Sequence, residues 1–130
     1  MMCRIGVQTK NIVADENPAE GFSQLRQAGF TCADFSLNGY LLNTDLYRFK
    51  TNSFFNQTDQ ELERFFEPHK RGAGAAGIMI NQMHMPYPVY VPRGSKELNE
   101  YLWKIVAPKS LKVCAFFGCK YIVVHGFKLA

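Results

Sequence analysis

Two histidines carry the strongest chemical signal in the chain. His84 follows the apolar segment 78–83 (IMINQM), and His125 follows 121–124 (YIVV). Both segments read as β-strands, so each histidine stands at a strand's C-terminal end. In a parallel β/α arrangement those ends share one rim, where sites are built. Two imidazoles placed there could bind a divalent metal or hydrogen-bond a sugar oxygen. Gln82 lies two residues before His84 and so shares its face of the strand, while Asn81 and Met83 point the other way unless the strand bends. Tyr87 and Tyr90 lie on the proline-stiffened segment MPYPVYVPRG after His84 and could wall a pocket. Gln8 ends the first strand. Asp34 lies one residue before the end of the second; inward it could orient a ligand, outward it would meet a helix. His69, beside Lys70 and Arg71, reads as an exposed helical residue.

Other chemistries lack their residues. There is no HxH, no HExxH, no GxGxxG, no phosphate loop and no nucleophile elbow. Two histidines do not complete a metal shell, which commonly needs three or four ligands including acids.

The elements that must position these residues follow a repeating rhythm. Cys3–Thr9 reads as a first strand, with Cys3, Ile5 and Val7 on one side. Asn17-Pro18 opens a helix, Pro18 in the first turn where its missing N–H costs nothing. Phe22, Leu25 and Ala28 form its apolar stripe, and Gly29 ends it. Phe30–Phe35 is the second strand. Residues 36–58 are irregular yet rich in aromatics; either an ordered functional loop or one or two short packed helices fits. Thr58 or Asp59 caps the next helix, with Leu62, Phe65 and Phe66 inward. Gly72 and Gly74 should weaken its last turn, and Gly77 marks its exit. Ser95 caps a further helix carrying Leu98, Leu102, Ile105 and Val106. At Pro108 this helix either kinks or gives way to a second one. Gly118 ends the segment before the fourth strand, Tyr121–Val124, whose unbroken apolar run suits a parallel strand buried on both faces.

Four strands alternating with helical segments predict an α/β fold with four adjacent parallel strands in sequential order. That is strands one to four of an eight-stranded (β/α)8 TIM barrel, with residues 1–130 as its N-terminal half. The alternative is a small α/β domain that dimerises along its edge. The apolar fourth strand, so near the last residue, favours the partial barrel. Exposed strand edges then imply an oligomeric or poorly soluble chain.

Composition bounds the function classes. The 130 residues are 47% hydrophobic and 20% charged, with 11 Phe and 6 Tyr, which reads as one globular domain. The net charge of +4 arises from 15 basic and 11 acidic residues that form no basic run, which argues against a nucleic-acid surface and suits small phosphorylated molecules. Cys3, Cys32, Cys114 and Cys119 make no CxxC pair and sit among apolar residues, so buried thiols in a reducing, cytoplasmic setting are expected rather than disulfides or zinc. No charged-then-apolar leader and no membrane-length apolar run is visible.

Three segments carry a family resemblance: GFSQLRQAGFTCADF at 21–35, GIMINQMHMPYP at 77–88 and FFGCKYIVVHGF at 116–127. Through them the chain resembles the xylose-isomerase-like barrels, the sugar phosphate isomerases and epimerases whose superfamily includes the endonuclease IV type of DNA repair enzyme. The resemblance spans nearly the whole chain but only strands one to four of eight. It implies a metal-dependent enzyme transferring a proton next to a sugar carbonyl, with Mn, Mg, Co or Zn as cofactor. The isomerase-like members take most core ligands from strands five to eight, so the catalytic residues would lie beyond residue 130 and this chain alone would be inactive. In the DNA repair branch, histidines matching His84 and His125 are zinc ligands. Metal-dependent phosphodiester cleavage at abasic DNA is therefore the alternative activity, and a non-catalytic half-barrel pairing with a partner is a third. Gly72 and Gly74 depart from the helix formers expected before strand three.

Overall fold

The computed structural model describes residues 4–126. The fold is α/β, with a four-stranded parallel sheet in the order β1-β2-β3-β4. The strands are β1 (Gly6–Gln8), β2 (Cys32–Ser36), β3 (Met79–His84) and β4 (Ile122–Val123). Between them run α1 (Pro18–Gln27), α2 (Asn43–Leu46), α3 (Asp59–Ala76), α4 (Lys96–Tyr101) and α5 (Ala107–Phe116). Parallel crossovers are right-handed, so strands joined in sequential order stack their helices on one face of the sheet. Ala33, Phe35, Ile80 and Met83 build the core on that face with Phe22, Leu25 and Phe66 from the helices. The opposite face is left to Gln8, Asp34, Gln82 and His84.

The helix ends behave as their residues dictate. Pro18 sits in the first turn of α1, and Gly29 follows it at φ 93°. Thr58 caps α3 in a reciprocal box with Glu61. Ser95 accepts from the Leu98 N–H at 3.1 Å.

The glycines of α3 do not fray it. The helix runs unbroken through Gly72 and Gly74 to Ala76, and Gly77 terminates it in the left-handed conformation. A Cβ on Gly72 would stand 3.0 Å from the Ala19 Cα. The missing side chain therefore permits the close approach of α1 and α3, and this packing outweighs the helix propensity lost.

Pro108 neither breaks the helical segment nor leaves it regular. Residues Leu102–Val106 form a π turn between α4 and α5, with Pro108 in the first turn of α5. A prolyl nitrogen cannot donate, and the widened turn is where the ladder adjusts.

Residues 36–58 fold into short helices, at Leu37–Tyr40, Asn43–Leu46 and Phe54–Asn56. Leu37, Leu41, Leu46 and Phe55 are fully buried there. Tyr40 stacks on Phe54 and meets Phe65 and Phe66 edge-on.

Three further sequence expectations are corrected. β4 is limited to Ile122–Val123 and is half-buried; Tyr121 is 69% exposed and Val124 46%. It pairs with β3 and with no other described strand, so the expected burial on both faces is not met. β1 is likewise shorter than 3–9, and Ile5 is exposed; Cys3 lies outside the described residues. The third correction is His69, which is 1% exposed. Leu62, Phe66, His69 and Ala73 follow one another at helical spacing, which puts the imidazole on the apolar stripe of α3. There it packs against Phe35, Phe65 and Phe66, and Nε2 bonds Asp15 Oδ1 at 2.8 Å.

Cys32, Cys114 and Cys119 are buried free thiols, as expected. Burial, and then the neighbouring Cys119, push the Cys114 thiol up to about 12. No described helix is long and apolar enough to cross a membrane.

Candidate functional site

The site begins with a break in strand register. Ala33 pairs with Ile80, but Asp34 pairs with Gln82, so Asn81 is an extra residue in β3. Such a bulge re-aims the side chains beyond it. Ile80 and Met83 both enter the helix-side core although they are three residues apart. Gln82 and His84 are thereby turned together to the opposite face, where Asp34 also points.

Asp34 is the centre of the group. Its Oδ1 and Oδ2 lie 2.8 and 2.7 Å from His84 Nδ1. Gln82 Nε2 donates to Oδ2 at 3.1 Å. The Asp34 and His84 side chains are each only 16% exposed, so water competes weakly for these bonds. A carboxylate at Nδ1 holds the proton there and leaves Nε2 as the imidazole's outward nitrogen. Asp34 therefore lies on the face opposite the helices, and there it holds the His84 ring.

His125 completes the pair. Its ring lies 5.3 Å from that of His84, 29° from parallel. The register gives the reason: His84 pairs with Val123, and His125 lies two residues further along the same face. Tyr87 also packs against His125, with ring centroids 5.1 Å apart. The irregular segment before α3 holds Tyr87 in place. Asn43 Nδ2 donates to the Tyr87 hydroxyl at 2.8 Å, and the Tyr87 N–H donates to Asn38 Oδ1 at 3.0 Å. Asn38 and Asn43 are supporting residues that sequence reasoning missed; both lie in the stretch 36–58 that read only as irregular.

The remaining candidates fall elsewhere. Gln8 is in register with Asp34 and exposed at the end of β1. Tyr90 lines a cleft of about 520 Å³ with Asn99, Glu100 and Trp103, a lining that includes neither histidine. A cleft of about 560 Å³, lined by Ile78, Met79, Phe117 and Tyr121, lies at the N-terminal ends of β3 and β4, away from the rim.

The donor set accommodates a divalent metal in part. Two imidazoles on one tetrahedral ion, with N–metal distances of about 2.0–2.1 Å, have ring centroids roughly 5 Å apart. The 5.3 Å spacing of His84 and His125 is of that size, with the two rings stacked 29° from parallel, and Asp34 supplies the outer carboxylate that metal-binding histidines usually have. Among the described residues no group of three His, Cys, Asp or Glu side chains gathers to complete the shell. The arrangement can also act without an ion, because a neutral imidazole oriented by a carboxylate at Nδ1 is a competent proton acceptor at Nε2.

Comparison with protein-family models, with curated proteins and with solved structures found no match to this chain.

Proposed function

We propose that residues 1–130 form the first four β/α units of a xylose-isomerase-like barrel acting on a sugar or sugar phosphate by proton transfer next to a carbonyl. The observation that carries this reading is the Asp34–His84–His125 group at the C-terminal rim of β2, β3 and β4. Sequential parallel strands with helices on one face suit a barrel segment, and the barrel rim is where such enzymes work. The polar row of Gln8, Asp34 and Gln82 on the opposite face suits a barrel interior that leads to a site.

Each residue has a distinct part. His84 presents Nε2 to the ligand, and Asp34 fixes that nitrogen's direction. Gln82 holds the carboxylate so that it does not swing away. His125 provides the second imidazole, and Tyr87 forms an aromatic wall beside it. A divalent ion, when bound, would be held by His84 and His125 and would supply positive charge at the carbonyl. Asp34 is engaged by His84, so the carboxylate that removes the substrate proton belongs to a part of the barrel outside this group.

The test is an aldose–ketose interconversion assay with added Mn, Mg, Co or Zn. It is run on residues 1–130 and on the complete barrel that the proposal implies. The complete barrel should turn over and lose activity strongly when His84 or His125 is replaced by alanine, while residues 1–130 should be inactive. Full activity from residues 1–130, or unchanged activity in both variants, would overturn the proposal; cleavage of abasic DNA in place of isomerisation would replace it by the phosphodiesterase alternative.

A further inference from the structure

A second cleft opens on the same rim, at the ends of β1 and β2. Its volume is about 390 Å³, and its lining includes Thr9, Lys10, Asp15, Glu16, Ser36 and Tyr40. Small-molecule sites begin at about 300 Å³. Ser36, which lines the cleft, is in register with His84 on the neighbouring strand, a backbone spacing of roughly 4.8 Å. A single extended molecule could reach both.

The chemistry of the lining selects the ligand. Asp15 is anchored from behind. The Tyr40 hydroxyl donates to its Oδ1 at 2.7 Å, and His69 Nε2 meets the same oxygen at 2.8 Å. The Asp15 side chain is 45% exposed, and Oδ2 bonds no described residue. A pre-oriented carboxylate oxygen of this kind accepts strongly from a hydroxyl. Thr9 and Ser36 add hydroxyls already held in place, Thr9 Oγ1 by the Ser36 N–H at 3.4 Å and Ser36 Oγ by the Asn38 N–H at 3.3 Å. Two carboxylates, Asp15 and Glu16, face one ammonium, Lys10. That balance repels a phosphate and accommodates neutral groups that both donate and accept.

We propose that this cleft is a subsite for the neutral polyol tail of the substrate whose reactive end lies at His84. The proposal rests on the sugar reading of the histidine site and narrows it: the natural ligand is a free sugar, with no phosphate on its polyol tail. Asp15 is the principal acceptor, and His69 and Tyr40 are the positioning residues that aim it.

The experiment is a nuclear magnetic resonance titration of the 130-residue chain with ribitol and, separately, with ribitol 5-phosphate and inorganic phosphate. Backbone amides of Thr9, Asp15 and Tyr40 report the cleft, and the imidazole of His84 reports the other site. Ribitol should move both sets of signals with one binding curve, more tightly than ribitol 5-phosphate, and inorganic phosphate should leave the cleft silent. Asp15→Asn retains an acceptor for Tyr40 and His69, so the fold should hold while ribitol binding weakens about tenfold. Exposed Glu16→Gln, alone and combined with Asp15→Asn, should shift preference toward the phosphate ester, an effect a purely structural role would not produce. Tighter binding of the ester by the unaltered chain, or no response of the cleft to ribitol, overturns the proposal. If His84 responds to ribitol while the cleft stays silent, the subsite falls and the histidine site stands. If only the cleft responds, the cleft binds polyols independently of His84 and the proposal that it holds the tail of the His84 substrate is overturned.

Discussion

Both carboxylate oxygens of Asp34 lie within 2.8 Å of Nδ1 of His84, across neighbouring strands and fifty positions of sequence. That contact fixes the direction in which the imidazole can bind anything, and its removal is the sharpest probe of the site. If the proposed metal site is correct, Asp34→Ala should lower zinc or cobalt affinity by about 10–100-fold, the usual cost of losing a histidine's outer carboxylate. His84→Ala should lower it at least as far. Calorimetric metal titration, with circular dichroism to check the fold, would measure both. Equal affinity for the unaltered protein and Asp34→Ala would show that the carboxylate orients nothing that binds metal.

The His69–Asp15 contact predicts a stability effect far from that site. His69→Ala should destabilise the chain by about 2–4 kcal/mol, by leaving a cavity among Phe35, Phe65 and Phe66 and releasing the loop that carries Asp15. Urea unfolding of His69→Ala, Asp15→Ala and the double variant would show coupling between the two. Strict additivity would mean that the 2.8 Å contact contributes nothing of its own.

The two glycines of α3 should respond oppositely to alanine. At Gly72 the new Cβ would meet the Ala19 backbone at 3.0 Å, and α1 must move, costing about 1–3 kcal/mol. At Gly74 nothing lies within 4 Å, and alanine should stabilise the helix by about 0.5–1 kcal/mol. Thermal unfolding of the pair decides. A loss at Gly74 equal to that at Gly72 would refute the packing account.

Alkali should destabilise the fold through Cys114. Burial raises this thiol from 9.0 to about 12 in the folded chain, so above pH 9 the unfolded chain releases the proton first. The stabilising difference is complete below pH 9 and is lost as the pH rises toward 12. Tyr40, raised above 10.0 by burial and by Asp15, acts in the same direction. Denaturant midpoints measured from pH 8 upward should fall, and Cys114→Ala should flatten the fall. A flat profile in the unaltered chain would contradict the burial of both groups.

The amino-acid sequence alone determined the order and type of the main elements. Local signals suffice for that: Pro18 and Gly29 bracket α1, Thr58 and Glu61 start α3, and short apolar runs mark β2 and β3. It also placed His84 and His125 at strand ends, because position along a strand is a local property. Which side chains meet was decided by the tertiary structure. Asp34 had two possible directions until Ala33 and Phe35 packed against the helices, and the bulge at Asn81 turned Gln82 and His84 to meet it. His69 read as exposed beside Lys70 and Arg71, yet its place on the stripe of Leu62, Phe66 and Ala73 was visible in the spacing, and packing against Phe35 overrode the charged neighbours. Gly72 looked like a weak point in the helix because its benefit, the approach of Ala19, comes from another helix. Asn38 and Asn43 could not be tied to Tyr87 by any local pattern. Their hydrogen bonds span more than forty residues, and only folding brings such groups within reach.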